Sequence, residues 1–287
     1  MKKSDFPFRA GKESMRMGLE STPIRDWLTV SEEYEERTRL KKQLSEQLGQ
    51  RVYAQVAYSS DEQIEFAELV KEFFSEIRPE CCSLVLKLPA KNFGEYPLND
   101  IAKYLEEDVC LLREMEGEYR LTAASVCNPT WWDLRDKIGR PLSEIHQPIH
   151  GLEEKLGRMI AHFLSQLSPK NIFRRMNWFL TPTEELCVFP ETYSQAGLFS
   201  GLDKSNVGEQ LFIRTETQTF RRLPKSNAIA FTIRVAVQPV SILRTDPEAA
   251  RGLLKTLNNL QDDARKQRRV DDYEPALRHY LLETVRG

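Results

Sequence analysis

Two stretches of this 287-residue sequence carry residue types suited to chemistry. In the first, His146 and His150 sit between Gly139 and Gly151, together with Pro141 and Pro148. Prolines fix the path of a loop and can aim a side chain into a pocket. The Gln147-Pro148 step also biases the chain there toward an extended shape. A histidine held in this way can ligate a metal or a haem iron through one ring nitrogen. A hydrogen-bonded loop histidine is the commoner fate of such a residue. His162 and His279 fall in helical stretches. The second stretch is FIRTETQTFRRLPKS, where strand alternation puts Phe212, Arg214, Glu216 and Gln218 on one face. Such a row is either a solvated sheet surface or the polar wall of a pocket. Arg221-Arg222, just before Pro224, reads as ordinary surface charge. Upstream, FRRMNWFL would put Arg175, Asn177 and Phe179 on one face, with Met176 and Trp178 on the other.

The usual signatures of other chemistries are missing. HExxH, GxSxG, the P-loop and GxGxxG are all absent, so hydrolase, kinase and dinucleotide-dehydrogenase readings lose their support. The five cysteines (Cys81, Cys82, Cys110, Cys127 and Cys187) include no CxxC pair. They read as reduced, mostly buried small hydrophobes rather than ligands of zinc or an iron–sulfur cluster. With 41 Lys+Arg against 43 Asp+Glu, nothing suggests a nucleic-acid partner. No apolar run approaches the ~20 residues of a membrane span. MKKSDFPFRAGKES lacks the apolar core of a secretory signal, so a soluble cytoplasmic protein is expected.

The elements that must position these residues can be read from pattern. Residues 1 to about 28 suggest an extended arm. A first helix is expected from Thr29, with Glu32 closing a capping box and Leu40, Leu44 and Leu48 on one face. A second follows Ser60-Asp61, with a broad apolar face of Phe66, Leu69, Val70, Phe73, Phe74 and Ile77. These helices suggest an N-terminal helical subdomain, about 1–95, of a single domain spanning 1–287. Asn99-Asp100 is expected to cap a short helix. DVCLLREMEGEYRLTAASVC reads as a hairpin turning at Glu116-Gly117-Glu118. Strand-like runs follow at Arg175 to Leu180, Gln210 to Gln218 and Ala228 to Val237. An amphipathic helix lies over Gly151 to Leu167, and two more close the chain, over Asp246 to Leu260 and Asp271 to Val285. Strands joined by short turns predict an α+β fold, an antiparallel sheet packed by helices, rather than a doubly wound one.

Taken in order, these segments resemble one family. FPFR, MGL, a Trp-Leu before the first helix, DVCLLREMEGEYRLTAASVCNPTWW, KIGRPLSEIHQPIHGLEEKL, RMNW, RTETQTFRRLPKS and AIAFTIRVAVQPV together resemble the alpha subunit of haem-dependent oxidative N-demethylase. The resemblance runs from about Phe6 to the C-terminal helices. Each motif alone is weak, whereas the ordered set is specific. It implies a PAS-like sheet carrying a b-type haem, with helical additions at both ends.

The resemblance also implies roles. His146 matches the proximal ligand of the haem iron. His150 stands where the family pattern has proline, and becomes a second candidate. Arg175 and Glu216 match a distal pair facing oxygen and amine. Arg214 and Arg222, in the same RTETQTFRR element, are expected to contact the cofactor. A distal arginine can donate hydrogen bonds to dioxygen, and a glutamate can bind an alkylammonium ion and take its proton. Oxidation of the methyl group then yields a smaller amine and formaldehyde. The chain has neither a nicotinamide motif nor a cysteine cluster, and the resemblance implies that electrons arrive from NADPH through flavin and iron–sulfur partner proteins. The expected activity is thus an oxidoreductase of monooxygenase type acting on dimethylamine or a relative. Two alternatives share the scaffold: a non-catalytic haem or small-ligand sensor, and a haem-free structural partner.

Overall fold

The computed structural model describes residues 6–9, 18–85, 88–89, 93–145, 155–192 and 197–286. Among them are the strands β1 (Glu20–Thr22), β2 (Tyr53–Gln55), β3 (Asp108–Met115), β4 (Glu118–Ser125), β5 (Ile172–Thr181), β6 (Phe212–Arg222) and β7 (Ile229–Pro239). They form one seven-stranded sheet in the order β1-β5-β6-β7-β3-β4-β2. Every neighbouring pair is antiparallel. The helices are α1 (Tyr34–Leu48), α2 (Ser60–Glu72), α3 (Cys82–Val85), α4 (Pro97–Ala102), α5 (Leu142–Ile145), α6 (Lys155–Gln166), α7 (Val207–Gln210), α8 (Pro247–Asn259), α9 (Asp262–Gln267) and α10 (Glu274–Arg286). The architecture is α+β, as the pattern predicts. The β3–β4 hairpin turns where expected: Glu116 and Gly117 take φ of 55° and 83°. That two-residue turn follows the right-handed twist of its strands.

One face of the sheet, the back, is closed by two apolar cores. Toward one end, Val109, Leu111, Ala123, Ile172 and Ala230 pack under the N-terminal helices. Trp27 sits in that core, edge-on to Phe66 and Phe73 at 5.8 and 5.5 Å. Toward the other end, Trp178, Leu180 and Ile213 pack under α8, α9 and α10. The FPFR segment belongs to this second core. Phe8 is fully buried and lies edge-on to Trp178 at 4.8 Å. Its backbone runs so close to α8 that a Cβ on Gly252 would lie 2.4 Å from the Phe8 carbonyl oxygen.

The structure departs from four sequence expectations. The first helix starts at Tyr34, not Thr29, and no side chain caps it. Thr29 and Ser31 instead donate their backbone N–H groups to Glu107 and Glu106, at 2.8 and 2.5 Å. The buried stripe of α1 is Tyr34, Thr38, Lys41 and Ser45, a polar set. Lys41 Nζ hydrogen-bonds the Glu107 carbonyl and lies 3.7 Å from Asp108. Second, Asn99 and Asp100 lie inside α4, whose N-cap is Tyr96. Asn99 bridges Ser45 and Ser125 at 2.9 and 3.1 Å. Third, the described part of the N-terminal arm includes a turn at residues 7–9 and strand β1. Fourth, Arg221 and Arg222 are not free surface charge. Arg221 is 7% exposed, with its guanidinium 4.2 Å from the Trp27 ring centroid. Glu65 also clips the following turn to α2, accepting from the N–H groups of Lys225 and Ser226 at 2.6 and 2.8 Å.

Candidate functional site

Strands β5 and β6 pair along their length, with Arg175 opposite Gln218, Asn177 opposite Glu216 and Phe179 opposite Arg214. Side chains directly opposite share a face. The pairing therefore sets Arg175, Asn177, Glu216 and Gln218 in a two-by-two array on the front of the sheet. Glu216 Oε2 accepts from Gln218 Nε2 at 2.8 Å and from Asn177 Nδ2 at 3.3 Å. Arg175 is half-buried and makes no hydrogen bond among the described residues. Burial lowers its guanidinium from the ordinary value, while the field of Glu216 acts the other way.

Aromatic rings flank the array at both ends. On one side Phe163, from α6, meets Phe173 and Phe220 edge-on at 5.4 and 5.6 Å. Phe220 stacks on Phe231 at 4.7 Å. On the other side Phe179 lies between the Arg214 guanidinium, 6.0 Å from its ring centroid, and Trp131 at 6.2 Å. With ~3.3 Å per strand residue, Phe173 and Phe179 stand about 20 Å apart along β5. Between them lies a half-buried polar floor. A separate cleft of about 270 Å³ opens beyond the Phe212 end of β6, lined by Pro182, Phe199, Leu202, Glu209 and Gln210. It contains none of the array.

Trp131 is the strained member of the wall. Its φ of 56° is an outlier for so bulky a residue. Its N–H donates to the Val188 carbonyl at 2.8 Å, which holds the turn. The indole Nε1 is buried without a hydrogen-bond partner among the described residues. No sequence signal announces that backbone.

Arg214 and Arg222 both turn inward to the protein. Arg214, 1% exposed, donates to the carbonyls of Asn128, Leu186 and Glu185 at 2.7, 2.9 and 3.1 Å. It thereby ties the loops on either side of the Thr130–Val188 bridge to β6. Burial lowers its guanidinium from the ordinary value, opposed by Glu216 and Asp108. Asp108 extends the network by accepting from the N–H groups of Cys127 and Asn128, each at 2.9 Å. Burial raises the Asp108 carboxyl against the opposing field of Lys41. Arg222 Nε donates to the Leu167 carbonyl at 2.6 Å, and its other nitrogens reach Leu164, Asn227 and the Tyr119 hydroxyl. It caps the C-terminal end of α6, where carbonyls lack helical partners.

His146 and His150 lie outside the described residues. Ile145, the last described residue before them in the chain, packs against the front-face cluster, as do Ile160 and Phe163 of α6. Among the described residues no group of three or more His, Cys, Asp or Glu is arranged to hold a metal ion. No described helix is long and apolar enough to cross a membrane. The sequence reading singled out Arg175 and Glu216 but gave no role to the amides of Asn177 and Gln218. Their only signal was the shared alternation.

Over residues 18–278 the sequence matches a family description, and the chain belongs to that family: haem-dependent oxidative N-demethylase, alpha subunit-like.

Proposed function

We propose that this chain binds a b-type haem and oxidatively demethylates a small secondary alkylamine, such as dimethylamine, with O₂. The products are a smaller amine and formaldehyde. The reading rests chiefly on the array itself: a carboxylate held by two amides beside a guanidinium that forms no hydrogen bond among the described residues. The residues present fit the cofactor. Half-buried Phe163, Phe173, Phe220 and Phe231 offer an apolar bed on the front face, with a cation beside it. In this reading His146 would hold the haem iron, with His150 as the second candidate. Arg214 and Arg222 serve by holding the loop wall and α6 in place. Bound haem supplies the iron at which oxygen is activated and the amine oxidised.

This chain's residues do the remainder. Arg175 offers hydrogen-bond donors to the oxygen co-substrate as negative charge develops on it. Glu216 attracts the alkylammonium ion and removes its proton, freeing the nitrogen lone pair. The aromatic walls limit the space to a small amine and exclude bulk water. Electrons come from NADPH through flavin and iron–sulfur partners, in keeping with a family named for an alpha subunit. The order β4-β3-β7-β6-β5 of the five long strands supports a PAS-like scaffold, with α6 crossing its front face. We read the chain as one cytoplasmic domain whose N-terminal helices share a core with the sheet.

A Soret band in the purified protein, lost or altered in His146→Ala, tests the cofactor. Glu216→Gln should keep that band and lose about 10²–10⁴-fold in amine turnover. Raising the pH toward the amine's own pKa should partly rescue it, because more substrate arrives deprotonated. Arg175→Ala should show a defect in oxygen handling with or without amine, and no such rescue. A normal Soret band without turnover of any small alkylamine would instead favour the sensor.

A further inference from the structure

The amides of Asn177 and Gln218 treat the two oxygens of Glu216 unequally. Oε2 takes both hydrogen bonds, at 3.3 and 2.8 Å, while Oε1 accepts none among the described residues. Gln218 is 7% exposed, too buried for an incidental surface contact. Its Cα partner across the strands is Arg175, yet its amide reaches along β6 to Glu216 rather than across.

We propose that Asn177 and Gln218 are positioning residues that lock Oε2, leaving Oε1 as the atom that takes the alkylammonium ion and its proton. The proposal rests on the reading of Glu216 as the base. The donor chemistry carries it. A bidentate pair with Arg175 would hold the carboxylate as firmly, but would occupy both oxygens and use up the guanidinium. Neutral amides orient the group without cancelling its charge. Among the described residues Arg175 keeps its donors unused and Oε1 of Glu216 accepts no hydrogen bond.

The test uses the haem-loaded protein with Gln218→Met and Asn177→Leu, which keep volume and remove the donors. Calorimetric affinity for dimethylammonium chloride, measured without oxygen, should fall about tenfold for Gln218→Met and about threefold for Asn177→Leu, the larger loss following the shorter bond. Both losses should vanish in a Glu216→Ala background, because the amides act only through that carboxylate. A substrate-free readout accompanies this. The infrared carboxylate band that disappears in Glu216→Gln should shift in Gln218→Met. An unmoved band, unchanged affinity, or equal losses without Glu216 would overturn the proposal. Two failures are distinguishable. If Glu216→Ala binds the amine like wild type, the base assignment falls. If Glu216→Ala binds the amine more weakly than wild type and Gln218→Met behaves normally, the base stands and the positioning role falls.

Discussion

The two faces of β5 and β6 are built from alternate residues of the same two strands, and they differ in almost every physical respect. Behind the sheet, Trp178, Leu180 and Ile213 are 2%, 3% and 1% exposed, under close-packed helices. In front, Arg175, Asn177, Phe179 and Glu216 are all half-buried, and the polar ones form an array around the hydrogen-bonded Glu216 carboxylate rather than a core. A sheet face covered by helices gains stability from apolar area removed from water. A face that keeps a carboxylate and a guanidinium partly dry forgoes that gain and incurs desolvation cost. Apolar packing and the polar array are therefore separated by the pleat, one residue apart.

Neighbouring substitutions break the comparison most sharply. Trp178→Ala removes a buried indole from the C-terminal core and should cost about 3–5 kcal/mol in chemical denaturation. Its effect per folded molecule on amine affinity should be small. Asn177→Ala, one position away, should cost only about 1 kcal/mol of stability, for one half-buried hydrogen bond. It should still weaken amine binding. Equal stability losses at the two positions would mean that the front face is a core like the back one.

The same contrast explains what the sequence disclosed. Strand alternation is a local property, so the shared face of Phe212, Arg214, Glu216 and Gln218 was legible from residues alone. So was the hairpin, because Glu116-Gly117 meets the φ requirements of its turn within two residues. The start of α1 was not legible. The donors at Thr29 and Ser31 are satisfied by Glu107 and Glu106, some 75 or more residues away, and no local rule anticipates that. For the same reason the buried stripe of α1 reads as solvated charge until Lys41 is seen against the Glu107 carbonyl and Asp108. Arg222 looks like surface charge because its acceptors belong to the end of a helix more than 50 residues upstream. The roles of Arg175 and Glu216 came from family resemblance, since a polar row on a strand fits open water equally well. The strain at Trp131 had no sequence signal at all.

A smaller effect sharpens the picture of the back face. Gly252 allows the FPFR segment to lie directly on α8, with the Phe8 and Arg9 carbonyls at 2.4 and 2.5 Å from where a Cβ would stand. Arg9 also pairs with Asp246, the N-cap of that helix. Gly252→Ala should destabilise the protein by about 1–3 kcal/mol through overpacking, seen as a lower denaturant midpoint. Removing residues 1–9 should reverse the sign. Alanine then has no backbone to displace, and its better helix propensity contributes up to about 1 kcal/mol. A loss of the same size with and without the segment would place the strain elsewhere in the helix.

The smallest expected effect lies at the loop wall of the front face, where charge rather than apolar area does the fastening. Asp133, two residues beyond Trp131, accepts from Arg135 Nε and Nη2 at 2.9 and 2.8 Å and from Arg51 Nε at 2.9 Å. The Arg135 hydrogen bonds, against the opposing effect of burial, hold its carboxyl at about 2, below the ordinary 3.8. A folded value below the unfolded one means a stabilising contribution that is complete above about pH 4 and lost as the pH falls toward 2. Taken in full, such a shift corresponds to about 2.5 kcal/mol. The Arg135 side chain is 59% exposed, so solvent screening reduces the contribution to about 1 kcal/mol. Asp133→Asn should therefore lower stability by about 1 kcal/mol at pH 7, and the gap should close between pH 4 and pH 2. High salt should narrow it at neutral pH. Trp178→Ala, tested alongside, should show a gap independent of both pH and salt. If the Asp133→Asn deficit persists unchanged at pH 2, the residue fastens the wall by shape and hydrogen-bond geometry, and the electrostatic contrast between the faces does not extend to this loop.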